Sequence, residues 1–317
     1  MLDRNAVPGW KEERMEKRRL GRTGLEVTVV GFGSITIGGF YGAVDDAVSI
    51  KALHAAIDAG MNFIDTSDAY GAGHSEQVIG AFLKERPDRD QIILCTKGGN
   101  NMVTGVRNFT PDYIRGCVEG SLQRLGVEAI DVYLLHNPNV TNLQAEDSFE
   151  VLETFKAQGK LKHWGVSVNT LPECELAIAC GRPAVMQMEY NILEQEPADV
   201  FARAAAAGVG VIARVPLKRG LLSGRFNEQS TFDAEDRRRG MFAPDKLPAW
   251  VTKVRQIEAA VANLGRPLAE VAMRFCVSNP HVAVTIAGIR TPAQATANAA
   301  ACMPLPADAL ARLRQLG

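Results

Sequence analysis

Short apolar runs recur along the chain, each rich in β-branched or aromatic residues. They are VTVVGFG (27–33), MNFIDTS (61–67), QIILCTK (91–97), AIDVYLLH (129–136), HWGVSV (163–168), AVMQMEYN (184–191), GVGVIARVPL (208–217) and VAVTIAG (282–288). Runs of this length and composition predict buried strands. Between them the pattern switches to helical spacing. DDAVSIKALHAAIDAG (45–60) opens on acids and closes on Gly60, as helices do. HSEQVIGAFLKE, PDYIRGCVEGSLQRLG, DSFEVLETFKAQGK and ADVFARAAAAG follow the same rules. Eight strands alternating with helices predict a closed parallel (β/α)8 barrel, a TIM barrel, rather than a sandwich or a bundle.

Three departures from the alternation matter. RRLGRTGLEV (18–27) reads as an N-terminal β-hairpin placed before the first barrel strand. Residues 218–249 form a long Gly-, Arg- and Asp-rich segment after the seventh strand, and a structured loop of that length is usually functional. AWVTKVRQIEAAVANLG and ADALARLRQLG read as extra C-terminal helices. Residues 1–16 are expected to be an extension, and 17–317 one barrel domain.

Composition narrows the function. The chain has 317 residues, 46% of them hydrophobic, which suits a barrel with a large core. Lys and Arg total 35 against 36 Asp and Glu, for a net charge of −1, so neither nucleic acid nor an anionic membrane is the expected partner. The first residues are charged from Asp3 onward and make no secretory signal, and no apolar run reaches membrane-spanning length. The six cysteines form no CxxC pair and read as reduced thiols of a cytoplasmic protein.

In such barrels chemistry gathers at the C-terminal strand ends. Read in order, those ends carry Ser34, Asp65, Lys97, His136, Ser167, Gln187, Arg214 and Gly288. One carboxylate and one imidazole make a poor metal cage, so no metal is expected. Tyr70 follows Asp65 within one turn. Asp, Tyr, Lys and His together suit proton transfer to a carbonyl oxygen. A nearby ammonium favours a phenolate and lowers the phenol's pKa from its ordinary value of about 10. Asp65 would hold Lys97 and offset its buried charge. His136 would donate to the carbonyl oxygen. Taken singly, each residue has a plain structural reading as a cap, a snorkelling lysine or a packed ring.

The stretch FIDTSDAYG followed by GHSEQVIG resembles the "D-T-A-x-x-Y-G … S-E-x-x-x-G" pattern of the aldo-keto reductases, and CTK and LLHNP resemble that family's lysine and histidine strands. The resemblance runs from about Arg18 to the last residues. It implies that Asp65, Tyr70, Lys97 and His136 are the catalytic four, with Tyr70 as general acid in NADPH-dependent reduction of aldehydes or ketones, reversible on a sugar or alcohol. No GxGxxG opens a helix, so the dinucleotide is not held in a Rossmann turn. The resemblance instead lays NADP across the barrel mouth, with Ser167 and Gln187 at the carboxamide and Asp65 near the ribose. Arg214, Val215, Pro216, Leu217, Gly220 and Arg225 lie along the pyrophosphate. Gly33, Ser34 and Ile35 flank the cofactor from the first strand. The stretch GIRTPAQATAN from Gly288 to Asn298 matches the family's adenosine-phosphate motif, which sets Gln294 and Asn298 toward adenine and Arg290 at the 2′-phosphate, where a guanidinium at a helix start suits the dianion. The relatives' Ser-Asn pair is Ser167-Val168 here, with Asn169 one place later. Where relatives stack an aromatic ring on the nicotinamide, this chain has Arg214.

Phe40, Tyr41 and Asn137 are the candidate substrate contacts. Arg237, Arg238 and Arg239 read most simply as a solvated basic run. Two other classes fit parts of the pattern. A Schiff-base lyase would use Lys97 as nucleophile and needs its pKa depressed. A non-catalytic, cofactor-binding regulatory barrel, like the potassium-channel β subunits, would carry Asn where His136 stands.

Overall fold

The computed structural model describes residues 15–102 and 104–317. The extension expected over 1–16 lies outside them except for Met15 and Glu16. The hairpin pairs β1 (Lys17–Arg19) with β2 (Glu26–Thr28), antiparallel. Eight parallel strands then close the barrel: β3 (Val30–Gly33), β4 (Phe63–Asp65), β5 (Ile93–Gly98), β6 (Ile130–His136), β7 (Leu161–Ser167), β8 (Val185–Glu189), β9 (Gly210–Arg214) and β10 (Val284–Gly288), with β10 returning to β3. The predicted architecture holds. The run 27–33 is two strands rather than one, because the chain breaks at Val29, whose N–H turns to Glu16 O.

The helices in chain order are α1 (Asp46–Asp58), α2 (His74–Lys84), α3 (Pro111–Leu125), α4 (Val140–Ala145), α5 (Asp147–Ala157), α6 (Leu171–Ala179), α7 (Ala198–Ala206), α8 (Arg238–Met241), α9 (Leu247–Val261), α10 (Leu268–Val277), α11 (Pro292–Ala299) and α12 (Ala307–Arg314). Both expected C-terminal additions are present as α9 and α12, and they pack on each other. The expected alternation omitted α10. Seven of its ten residues are buried, so it lacks the polar face that marks a surface helix.

Two cores result. One lies between strands and helices and holds large side chains such as Phe82, Phe149, Trp164 and Phe275. The other fills the barrel, with Phe63, Ile93, Val132, Leu134, Val185, Ile212 and Ile286 stacked from successive strands. Leu20 and Val27 of the hairpin join this inner core, so the hairpin plugs the barrel. A Cβ on Gly21 would lie 2.2 Å from Gly210 N, which shows how closely the plug seats on β9. With one end stoppered, the other rim is left for chemistry. The register sets that rim level: Gly33 stands beside Asp65, His136 beside Ser167, Ser167 beside Gln187, and Gly288 beside Gly33.

The closeness of β7 and β8 gives a direct test. A Cβ at Gly165 would fall 1.9 Å from Val185 O and 2.7 Å from its carbonyl carbon, both backbone atoms that have no rotamer to escape into. Gly165→Ala is therefore expected to lower stability by about 1–3 kcal/mol, the usual cost of overpacking. A urea melt read by circular dichroism checks it; an unchanged midpoint would mean the two strands part without cost.

Candidate active site

Asp65 ends β4 and Lys97 lies in β5, and both are buried. Lys97 Nζ donates to Asp65 Oδ1 at 2.6 Å and to Thr66 O at 2.7 Å. Asp65 Oδ2 accepts from Gln187 Nε2 at 2.7 Å, and Ser167 Oγ reaches Gln187 Oε1 at 3.4 Å. A polar line thus runs Ser167–Gln187–Asp65–Lys97 across the barrel mouth. The two residues expected at a carboxamide are also the ones that fix the acid.

Tyr70 is carried by the turn after β4. Its N–H donates to Ser67 O, and the chain then leaves through three left-handed residues, Gly71, Ala72 and Gly73. Gly38 packs on this turn where a Cβ would lie 2.9 Å from Tyr70 Cα. The ring ends up with Lys97 Nζ 5.1 Å from its centroid and the His136 ring 6.0 Å away edge-on. Phe40 packs on it from the other side, centroids 6.2 Å apart. The four expected catalytic side chains are therefore brought together in one buried group.

Their electrostatics differ in one respect from the sequence expectation. Burial raises the pKa of Tyr70, and Lys97, the next largest influence, lowers it without reversing the direction. Desolvation wins over the ammonium, and the phenol stays protonated. Lys97 shows the opposite balance: burial disfavours its charge, but the Asp65 carboxylate beside it holds it above its ordinary value. His136 is driven well below the usual histidine range, first by burial and then by Lys97, Arg214 and Arg107, so its imidazole is neutral. A lysine held protonated is a poor Schiff-base nucleophile.

The expected cofactor residues have these surroundings in the fold. Ser34 belongs to a buried hydroxyl chain: Ser75 Oγ donates to Ser34 Oγ at 2.8 Å and lies 2.9 Å from Thr66 Oγ1. Glu76 of the same motif binds Thr96 Oγ1 and Arg124 Nε, tying α2 to β5 and α3. Gly33, Ile35 and Gly288 gather where β3 meets β10, with Ile35 Cγ2 3.7 Å from a Cβ placed on Gly288. Arg214 donates to Val168 O at 3.0 Å and Asn169 Oδ1 at 2.8 Å, lies 3.6 Å from Glu189 Oε2, and keeps its Nε buried without a partner. Glu189, which drew no attention in sequence, also takes Lys218 at 2.9 Å and Arg219 at 3.0 Å. Those two cations are thus engaged within the loop expected along the pyrophosphate. Val215, Lys218, Arg219 and Gly220 there adopt positive φ, Pro216 and Leu217 complete the bend, and Arg225 is exposed beyond it.

Arg290 NH1 donates to Tyr41 O at 2.8 Å and NH2 to Ala43 O at 2.7 Å. Its N–H donates to Gln294 Oε1, and Asn298 is buried further along α11. A recess of about 180 Å3 adjoins it, with Asp45 and Thr291 in the wall. Tyr41 does not join Tyr70. It faces a separate recess of about 560 Å3 with Phe226, Phe232 and Asp236, and Arg238 lies over the Tyr41 ring at 5.2 Å. The basic run is solvated only in part: Arg237 and Arg239 are exposed and Arg238 is half-buried. Arg237 stacks on Phe40 at 4.1 Å and reaches Met102 O, and Arg238 pairs with Asp236, while Arg239 is exposed. Asn137 has φ 60° and a buried Oδ1 with no hydrogen-bond partner among the described residues.

A parallel barrel with a buried acid, lysine, phenol and imidazole on its C-terminal rim is the layout of a carbonyl oxidoreductase. The chain belongs to the aldo/keto reductase family, whose model matches residues 29–317. It is 32% identical over 289 residues to aldo-keto reductase YhdN of Bacillus subtilis (strain 168), covering 88% of this chain and 86% of the relative. It is 29% identical over 325 residues to D-threo-aldose 1-dehydrogenase of Pseudomonas sp, covering 92% and 94%. Among solved structures, the holo form of aldo-keto reductase AKR11C1 from Bacillus halodurans superposes with a TM-score of 0.81 at 28% identity, covering 96% of this chain and 97% of that one. Glycerol dehydrogenase AKR11B4 from Gluconobacter oxydans gives 0.82 at 26% identity, covering 95% and 94%. Members of the family are oxidoreductases that use nicotinamide cofactors.

The neutral imidazole makes a prediction about stability. In the unfolded chain a histidine takes up a proton near pH 6.5, whereas folded His136 does not until well below that. Below pH 6.5 the unfolded state therefore binds more protons, and stability falls as pH falls, by up to about 1.4 kcal/mol per pH unit from this group. Asp68 opposes it, because burial and then Glu76 push its carboxyl up to about 6. The difference between wild type and His136→Gln isolates the histidine. The wild-type urea midpoint, measured from pH 7 to pH 5, should fall relative to the variant's as pH falls; parallel curves would mean that folded His136 takes up its proton at the same pH as the unfolded chain, and a relative rise that it is protonated in the fold.

Proposed function

We propose that the protein is an NADPH-dependent reductase of aldehydes or ketones, working in reverse on a sugar or alcohol. The observation that carries this reading is the convergence of Asp65, Lys97, Tyr70 and His136 in one buried group on the barrel rim. NADPH, when bound, supplies the hydride for the carbonyl carbon. Tyr70, kept neutral by burial, donates its proton to the carbonyl oxygen as general acid. Lys97, pinned by Asp65, stabilises the phenolate left behind. His136 donates a hydrogen bond that orients the carbonyl and offsets its developing charge.

The cofactor residues fit this reading in part. Ser167 and Gln187 offer an amide-binding pair on the rim, and Arg214 brings a buried N–H that lacks an acceptor. Arg290 has its guanidinium aimed by two carbonyls at the start of α11, with N–H groups to spare for a phosphate. On the substrate side, Phe40 packs on Tyr70, and the unpartnered Oδ1 of Asn137 is an acceptor for the hydroxyl of a polyol or sugar. The aldose and glycerol dehydrogenases among the relatives favour such a substrate.

Tyr70→Phe removes the phenolic oxygen and little volume. Carbonyl reduction should fall by about 10²–10⁴, the usual worth of general acid catalysis, while NADPH affinity stays near wild type. Steady-state rates and a cofactor titration on one preparation read both, and reduction at a near-normal rate would falsify the acid role.

Arg290→Ala should weaken NADPH by roughly tenfold to a hundredfold, since a hydrogen bond to a charged group is worth about 1.5–3 kcal/mol. NADH, which lacks the 2′-phosphate, should bind almost as before. If both cofactors lose affinity equally, Arg290 acts by holding the Tyr41–Ala43 segment and not by meeting a phosphate.

A further inference from the structure

Where the family pattern reads Asp-Thr-Ala, this chain reads Asp65-Thr66-Ser67, and the extra hydroxyl lies against the catalytic imidazole. Ser67 Oγ is 3.0 Å from His136 Nδ1, and Ser67 is fully buried. Three acceptors surround the single hydroxyl proton: Nδ1, Asp68 Oδ1 at 3.3 Å and Lys97 O at 3.3 Å. Two of them have other donors. Lys97 O takes the Asp68 N–H at 3.1 Å, and the Asp68 carboxyl is hydrogen-bonded by the Cys117 thiol. The Ala69 N–H donates to Ser67 Oγ at 3.1 Å, which occupies a lone pair and turns the hydroxyl proton outward. Nδ1 is the nearest of the three, and Asp68 Oδ1 is the acceptor it competes with. The other ring nitrogen, Nε2, makes no hydrogen bond among the described residues and is not among the buried atoms lacking a partner, which leaves it open to the mouth.

We propose that Ser67 is a positioning residue that donates to Nδ1 and so holds His136 as the tautomer with its proton on Nε2, facing the site of the carbonyl oxygen. A neutral imidazole has one N–H, and the bond at one nitrogen decides what the other does. Pinned this way, Nε2 is a donor. With the proton on Nδ1 it would present a lone pair to the carbonyl oxygen and repel it. The kinetic consequence rests on the function proposed above; the tautomer does not.

The experiment uses uniformly 15N-histidine-labelled full-length protein, with His136→Gln to assign the ring. Long-range 15N–1H correlation spectra should show His136 Nδ1 as a pyridine-type nitrogen and Nε2 as a pyrrole-type one. Ser67→Ala, which restores the family residue and is small enough to fold, should move Nδ1 toward the unbonded pyridine-type position. It should also slow carbonyl reduction roughly twofold to tenfold, the worth of a neutral hydrogen bond of about 0.5–1.5 kcal/mol, with NADPH affinity unchanged. Ser67→Thr keeps the hydroxyl and should recover both signals. A pyrrole-type Nδ1 in the wild type overturns the proposal, as does an unmoved Nδ1 or an unchanged rate in Ser67→Ala. If the wild type reduces no carbonyl, the spectra still decide the tautomer, so failure of the enzymatic reading is seen separately.

Discussion

The site depends on an ammonium that has been taken wholly out of water. Lys97 is fully buried and answers that cost with Asp65 Oδ1 and Thr66 O, both within 2.7 Å. Asp65 in turn spends its second oxygen on Gln187. The pair therefore locks β4, β5 and β8 to one another at the rim, and removing one partner alone would leave a buried charge unmatched, which typically costs about 3–5 kcal/mol. The same cation acts in two directions on its neighbours. It favours the Tyr70 phenolate against a burial that disfavours it, and it helps expel a proton from His136. Burial keeps the phenol protonated against this charge, while burial and the charge together leave the imidazole neutral.

Much of this was legible in the chain. The eight barrel strands announce themselves because a parallel barrel strand is buried on both faces and so reads as an uninterrupted apolar run. The candidate site was legible for the converse reason: Asp65, Lys97 and His136 are polar residues at the ends of such runs, where burial would otherwise exclude them. The less legible parts all turn on partners distant in sequence. Arg237 read as plainly solvated because its ring, Phe40, lies far upstream, and Arg238 because Tyr41, Phe226 and Phe232 gather around it only once the loop is folded. Ser67 passes for an ordinary turn residue until His136 is placed beside it. Sequence could name Lys97 as the neighbour of Tyr70 but carried no measure of burial, so it had the dominant influence on the phenol wrong.

The arginines also explain how the mouth is shaped. The segment after β3 is clasped from two sides: Arg290 binds the carbonyls of Tyr41 and Ala43, while Arg237 and Arg238 stack on Phe40 and Tyr41. Cation–π contacts of this kind contribute about 0.5–2 kcal/mol each. They hold Phe40 against Tyr70 and turn Tyr41 away into its own recess. The wall beside Tyr70 is thus set by residues that belong to the long segment after β9 and to the turn before α11.

That long segment begins with a conformational cost. Val215, Lys218 and Arg219 have φ of 60°, 44° and 57°, a region that disfavours side chains, above all a β-branched one. At about 1–3 kcal/mol each, such residues persist only where the surroundings enforce them. Glu189 supplies the enforcement. It meets Arg214, Lys218 and Arg219 together, and Glu194 takes the second contact of Lys218. Three cations face two carboxylates, so the cluster keeps a positive excess while most of its charge is used internally. An anionic ligand crossing this bend would meet one net charge and a backbone already bent, rather than three loose cations that it must first order. The acid in β8 does the ordering in advance, and the strained loop is what that arrangement sustains.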